Sequence, residues 1–494
     1  MKKYLMAIAA LAAALTVGRS DLVAQDAATV IRQTAKAMGA DGLSSVTYSG
    51  TAADVNFLQT RNINGPWPLR PITNYRRAID LRTLGSRATG STMNQGLFGG
   101  PPVPGTFNQG ITPQNAVWMQ QLDYWVTPWG FLKGATANKA TVRAQKINGK
   151  NYSIVTWSPP LKAPSGVAYR VNGYITEEHL IDRVETWVDH DMLGDMLVDT
   201  SYSDYKTFGT LKVPTKIVQK RGGFTYFMAT VEDAVANPAD LAQLLQPPPP
   251  TAGRGRGPAP GGPPAGGRGG AAEPPSASTK LADGVYKING AYNSLAVEFK
   301  DYVIVVEGPQ SIERGEAIVD EVKKLFRGKP IRYVVNTHPH SDHASGLAAF
   351  VAEGATIVTQ QNNKAFFEQT FSAPRTLVGD RLAKSGRKPK VEGFAEKRVF
   401  TDDTRTLELH HITDADPENV HSDGILVAFL PKEKILFQAD FTLPAAGQTA
   451  NPFTQSLGRN LAKLKLDFDS YISVHNTNTP QTREDLMKAS GVTY

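Results

Sequence analysis

Two kinds of hydrophobic patterning divide this chain. Up to about residue 245 the apolar positions recur mostly with a period of two, the spacing of a strand with one buried face. One helical pattern comes first, over Ala27–Met38, and short β-type runs such as Val46–Ala52 and Val184–Asp189 follow. The stretch SYSDYKTFGTLKVPTKIVQKRGGFTYFMATVEDAVAN predicts consecutive antiparallel strands joined by glycine-containing turns. Between Gly65 and Gly134, glycine, proline, asparagine and aromatic residues follow no clear period, which predicts long loops. From Leu281 onward strands alternate with helices. DYVIVVEG reads as a buried strand ending at Glu307, Ile312–Phe326 as an amphipathic helix, and IRYVVN as an apolar strand followed by a helix over Ala344–Glu353.

The boundary between the two patterns is a change of composition. From Gln246 to Thr279, ten of 34 residues are proline and nine are glycine, with no large apolar residue among them. Such a segment cannot bury enough surface to offset its ordering entropy and predicts a disordered tether between domains 25–245 and 280–494. At the N-terminus, Lys2 and Lys3 precede an apolar run from Tyr4 to Val17, with small residues at Gly18 and Ala24. That order predicts a cleavable secretory signal over residues 1–24, hence a periplasmic or secreted protein. No later run is long enough for a transmembrane segment.

Charge narrows the partners. The net charge is +7, but Lys2, Lys3, Arg19, Arg254, Arg256 and Arg268 against Asp21 and Glu273 account for +4 of it. The remainder, spread over more than 400 residues, is no phosphate-binding surface, so nucleic acid is not an expected partner. The chain has no cysteine, which removes disulfides, thiolate metal sites and cysteine nucleophiles together.

The chemistry concentrates in THPHSDHASG. His338, His340, Asp342 and His343 follow directly on an apolar strand, where a solvated loop would sit among other polar residues. Imidazoles two residues apart can face one metal, while the carboxylate and the adjacent histidine reach a second. Gly346 would let this loop pack tightly. Four residues cannot complete two tetrahedral shells, and three later positions beside strand ends can add ligands: His421 before the strand Ile425–Leu430, Asp440 after KILFQAD, and His475 after the short strand of DSYISVHNTN. His410 and His411 lie on a strand over Thr406–Ile412 and read as structural, as do His179 and His190, which have no spaced partner.

This constellation resembles the metallo-β-lactamase fold superfamily from Leu281 to the C-terminus. The resemblance implies an α+β architecture whose C-terminal domain is an αββα sandwich with metals at one edge between two sheets. It also implies that His338, His340 and His421 hold one metal, that Asp342, His343 and His475 hold a second, and that Asp440 bridges both. Three positions depart from the family pattern: Glu307 stands where an aspartate usually supports the loop, Ala439 precedes Asp440 where glycine is common, and Asn476 follows His475 where glycine is usual. The first half, with a leading helix and a strand meander, resembles the LolA-type lipoprotein carriers, which fold as a curved sheet around an apolar cavity. Its six tryptophans either line such a cavity for an apolar ligand or form an ordinary core.

The implied cofactors are two Zn2+ ions, with iron or another divalent metal serving the same ligands. Such a centre makes hydroxide available near neutral pH, with Asp342 orienting it and passing a proton to the leaving group. The expected activity is hydrolysis of an ester, lactone, amide, β-lactam or related bond in a small-molecule substrate. The alternative is a periplasmic carrier for an apolar ligand with an accessory metal domain.

Overall fold

The computed structural model describes residues 26–94, 100–112, 117–247, 277–413, 421–441, 451–475 and 481–493. The proposed signal segment and nearly all of the proline/glycine tract lie outside the described residues.

The first half is one eleven-stranded antiparallel sheet. Its strands run β1 (Ser45–Asp54), β2 (Arg70–Asp80), β3 (Gly85–Asn94), β4 (Val103–Ile111), β5 (Thr141–Ile147), β6 (Lys150–Trp157), β7 (Val171–Ile175), β8 (Ile181–His190), β9 (Gly194–Phe208), β10 (Leu211–Arg221) and β11 (Phe224–Ala236). Their order is β4-β3-β2-β1-β11-β10-β9-β8-β7-β6-β5, so the first and last strands pair in the middle and β4 and β5 form the edges. The helix over Ala27–Ala37 begins at Asp26, whose carboxylate caps the Thr29 amide at 2.8 Å.

Residues 65–134 correct the expectation of long loops. They hold three strands and two helices, Trp118–Trp125 and Pro128–Ala137. Composition hid the strands: in β4 the less exposed positions alternate regularly but include Gly105 and Gln109, so the inner face carries no apolar period in the sequence. The helices pack Trp118, Trp129, Phe131 and Leu132 together with Trp157 and Tyr169 in the core of this half. The aromatic residues are therefore packing. One pocket in this half measures about 40 Å3 and is lined by Arg77, Asp123 and Gln219 together with Phe107, Ile217 and Phe227. That volume has room for a few water molecules and not for an acyl chain, so the expected apolar ligand of this half finds no support in it.

The second half is a four-layer αββα sandwich. A seven-stranded sheet runs through residues 278–394, antiparallel over its first four strands and parallel from Val303–Val306 through Ile331–Val335 and Thr356–Gln360 to Lys390–Phe394. A six-stranded sheet spans 397–482. Between them lie Val297, Ile304, Val306, Val335, Leu407, Leu430 and Phe437. Helices Ile312–Leu325 and Leu347–Glu353 cover one outer face, and Pro452–Leu464 with Arg483–Ser490 the other. Among the described residues, no helix is long and apolar enough to cross a membrane.

The helix expected over 344–353 is split into Ser341–Ala344 and Leu347–Glu353. Gly346 marks the break. A Cβ there would come within 2.8–3.0 Å of the carbonyl oxygens of Pro309, Gly308 and Ser311. Only glycine lets the loop after Glu307 press against the turn that carries Asp342 and His343.

The two halves share a core. Val55, Leu58, Ile63, Trp67 and Met192 pack in one cluster with Phe350, Phe367, Val378 and Leu382. Polar contacts reinforce the seam: Asp195 accepts from the amides of Thr376 and Leu377 at 2.9 and 2.8 Å, and the Arg375 guanidinium donates to the Asp191 carbonyl at 2.8 Å.

Candidate metal centre

The seven side chains singled out in the sequence meet at one end of the sandwich. His338 and His340 follow the strand Ile331–Val335, and Asp342 and His343 lie on the short helix Ser341–Ala344. Asp440 and His475 follow Ile435–Gln438 and Ser470–Ser473, which pair in parallel, so both loops emerge at the same edge. His421 comes from the loop before Leu426–Leu430.

They form two groups, each with ligand atoms within 4.8 Å of one another: His338, His340, His421 and Asp440, and then Asp342, His343, Asp440 and His475. Asp440 belongs to both through different oxygens. Its Oδ2 is 2.9 Å from His338 Nε2 and 3.0 Å from His421 Nε2, while Oδ1 is 3.3 Å from His343 Nε2 and contacts His475 Nε2. His338 and His421 approach Nε2 to Nε2 at 3.2 Å.

Electrostatics suits cation binding. Burial lowers His338 to about 3 and His340 well below the ordinary imidazole value, so both stay neutral with a lone pair to give. Burial would also lower His343, but the carboxylates of Asp440 and Asp342 raise it well above normal. Burial pushes the Asp440 carboxyl up, and the facing His343, His421 and His475 more than reverse this, leaving it ionised.

The donors fit a metal by a further observation. His340 Nδ1 is buried without a hydrogen-bond partner, while its Nε2 lies 3.0 Å from the Thr60 carbonyl. An imidazole whose Nε2–H donates to that carbonyl leaves Nδ1 a bare lone pair, with the His338 and His421 rings 4.5 and 4.4 Å from its own. An unpaired buried nitrogen is costly unless a ligand takes it up.

Four residues around the centre were not foreseen as its neighbours or were foreseen only in outline. Glu307 is fully buried, accepts from the Thr337 hydroxyl at 2.5 Å and stands 3.6 Å from His343 Nδ1. Its backbone sits at φ 82°, the left-handed region that a residue other than glycine rarely adopts. The Tyr292 hydroxyl donates to Asp342 Oδ2 at 3.1 Å, and its ring packs on His475 at 4.6 Å. Burial raises this phenol, which keeps it a donor. Gln59 and Thr60 reach in from the first half. No local sequence signal marks Gln59 or Thr60, because each acts across some 280 residues of chain.

His410 and His411 stay structural, bonded to Glu408 and to the Asp423 carbonyl at 2.9 Å each. Residues 442–450, which follow Asp440 and Phe441, and Asn476 lie outside the described residues.

Residues 290–472 match the family model for the metallo-β-lactamase superfamily, and this half carries that fold. The 2,4-dinitroanisole O-demethylase subunit alpha of Nocardioides sp. (strain JS1661) is 24% identical over 211 residues, 41% of this chain; the chain spans 58% of that relative's length. Among solved structures, a metallo-β-lactamase from Erythrobacter litoralis is 19% identical with a TM-score of 0.33, covering 44% of this chain and 96% of its own. The FIM-1 enzyme of Pseudomonas aeruginosa, solved in a mono-zinc form, is 18% identical with a TM-score of 0.33, covering 45% and 96%.

Proposed function

We propose that this metallo-β-lactamase superfamily domain makes the protein an exported, dinuclear zinc hydrolase of a small-molecule ester, lactone, amide or β-lactam. The observation that supports it most is Asp440, whose two oxygens face separate histidine groups and so suit a bridging carboxylate. His338, His340 and His421 would hold the first ion, and Asp342, His343 and His475 the second. When bound, such ions supply a nucleophilic hydroxide near neutral pH and polarise the scissile carbonyl.

The chain's own residues do the rest. The Thr60 carbonyl fixes the His340 tautomer, and Glu307 holds Thr337 and faces His343. Tyr292 and Gln59 donate to opposite oxygens of Asp342, which stays ionised despite burial because His343 lies beside it. An ionised, aimed Asp342 can take a proton from the attacking water and return it to the leaving group. Phe453, edge-on to His421 at 4.9 Å, gives the cleft an apolar wall. Export rests on the Lys2–Lys3 and Tyr4–Val17 pattern.

The test is hydrolysis of a chromogenic cephalosporin, a lactone and an aryl ester, with 2,4-dinitroanisole added because of the demethylase relative. Turnover of at least one substrate, abolished by chelator and restored by zinc, is expected. His340→Ala should lose activity and bound zinc together; an active, fully metallated variant contradicts the assignment.

A further inference from the structure

The segment 55–67 of the first half lies over the metal loop of the second. Val55, Leu58, Ile63 and Trp67 anchor it in the shared core, and Leu58 takes φ 57°, a left-handed conformation that a bulky residue avoids. From there three consecutive residues bond downward. The Leu58 carbonyl accepts from the Ser341 amide at 3.1 Å. The Gln59 side-chain amide donates to Asp342 Oδ1 at 2.6 Å and to Ser341 Oγ at 3.2 Å. The Thr60 carbonyl lies 3.0 Å from His340 Nε2. Arg61 then pairs with Asp423 at 2.6 Å, away from Asp342.

We propose that Gln59 is a positioning residue for the second metal, so that the first half completes a site whose ligands all belong to the other. The inference rests on the dinuclear reading above. With Gln59 on Oδ1, the oxygen that Asp342 turns to the second group is Oδ2, which accepts from the Tyr292 hydroxyl at 3.1 Å and lies 3.4 Å from His343 Nε2. A carboxylate held at one oxygen cannot swing to chelate with both, and it aims Oδ2 at the space shared with His343, His475 and Asp440. An outer partner of this kind is worth roughly 10–100-fold in metal affinity.

The experiment is zinc titration of the full chain against a chromophoric chelator, for the unmodified protein, Gln59→Leu, Gln59→Glu and Arg61→Ala. Gln59→Leu removes the donor; Gln59→Glu keeps size and polarity but turns an acceptor toward Asp342, which covers the case in which the leucine variant does not fold. Two zinc ions are expected for the unmodified chain. Both Gln59 variants should weaken the second ion about 10–100-fold and leave the first unchanged. Arg61→Ala, which loosens the same segment through its pair with Asp423 on the His421 side, should bind the second ion normally. Normal affinity for both ions in both Gln59 variants overturns the inference, as does an equal loss in Arg61→Ala. An unmodified chain that binds no zinc overturns the hydrolase reading itself, and this inference with it.

Discussion

At the scale of single residues, the centre depends on side chains that aim the histidines. Glu307 is the sharpest case, because its carboxylate already stands 3.6 Å from His343 Nδ1. Glu307→Asp would restore the residue usual in the family but withdraw the carboxylate by one methylene. We expect it to weaken zinc binding at the second position, and Glu307→Leu to do so more strongly by removing the carboxylate that faces His343 and accepts from the Thr337 hydroxyl; chelator competition measures both. His190 carries a different prediction. Its Nδ1 accepts from the amides of Met192 and Leu193 at 3.2 Å, which shapes the turn that docks on Arg375. Burial, with Arg375 and Arg221 nearby, lowers it to about 3. The unfolded chain takes up that proton below about 6.5, so the contribution of His190 is complete above that pH and is lost as pH falls toward 3. The stability advantage of the native protein over His190→Asn should therefore shrink between pH 7 and pH 4.5 in denaturant titrations. An advantage constant across that range contradicts the assignment.

At the scale of elements, what could be read from the sequence followed from burial. The strand before the metal loop, Ile331–Val335, is apolar because the sheet is covered on both sides, and the helix Ile312–Leu325 has one buried stripe. Both stood out, and so did the histidines placed directly after the strand. The strands within 65–134 did not: β2 buries charged Arg77 and Asp80 beside its apolar residues, and the inner positions of β4 include Gly105 and Gln109, so no apolar period of two shows. The break at Ser345–Gly346 was also hidden, because its cause is a tertiary approach. Gly315 meets the same approach from the other side: a Cβ there would lie 2.1 Å from the Gly346 carbonyl oxygen. Gly315→Ala must push the helix off the metal loop. We expect a loss of roughly 1–3 kcal/mol of stability together with weaker zinc binding. An exposed control at Gly149, where nothing lies nearby but φ is 83°, should lose stability through backbone strain and keep its zinc.

At the scale of the whole molecule, the change in composition at 246–279 marked two halves but concealed how closely they join. Contacts between residues hundreds of positions apart leave no trace in either half's periodicity, so Gln59 and Thr60 could not be foreseen beside the metal loop. Because Trp67 stacks on Phe224 at 4.1 Å and packs within the shared cluster, the halves should unfold together. A protease site introduced near residue 260 should yield two fragments that still co-elute in size-exclusion chromatography; fragments that separate would contradict the shared core. Trp67→Ala should loosen that association and lower zinc content with it. The central claim, that seven side chains gather two cations around Asp440, is tested most directly by anomalous diffraction at the zinc edge from crystals of the full chain. The account predicts two peaks, one among His338, His340 and His421 and one among Asp342, His343 and His475, with the Asp440 carboxylate between them. Peaks elsewhere, or none after growth with zinc, would contradict it.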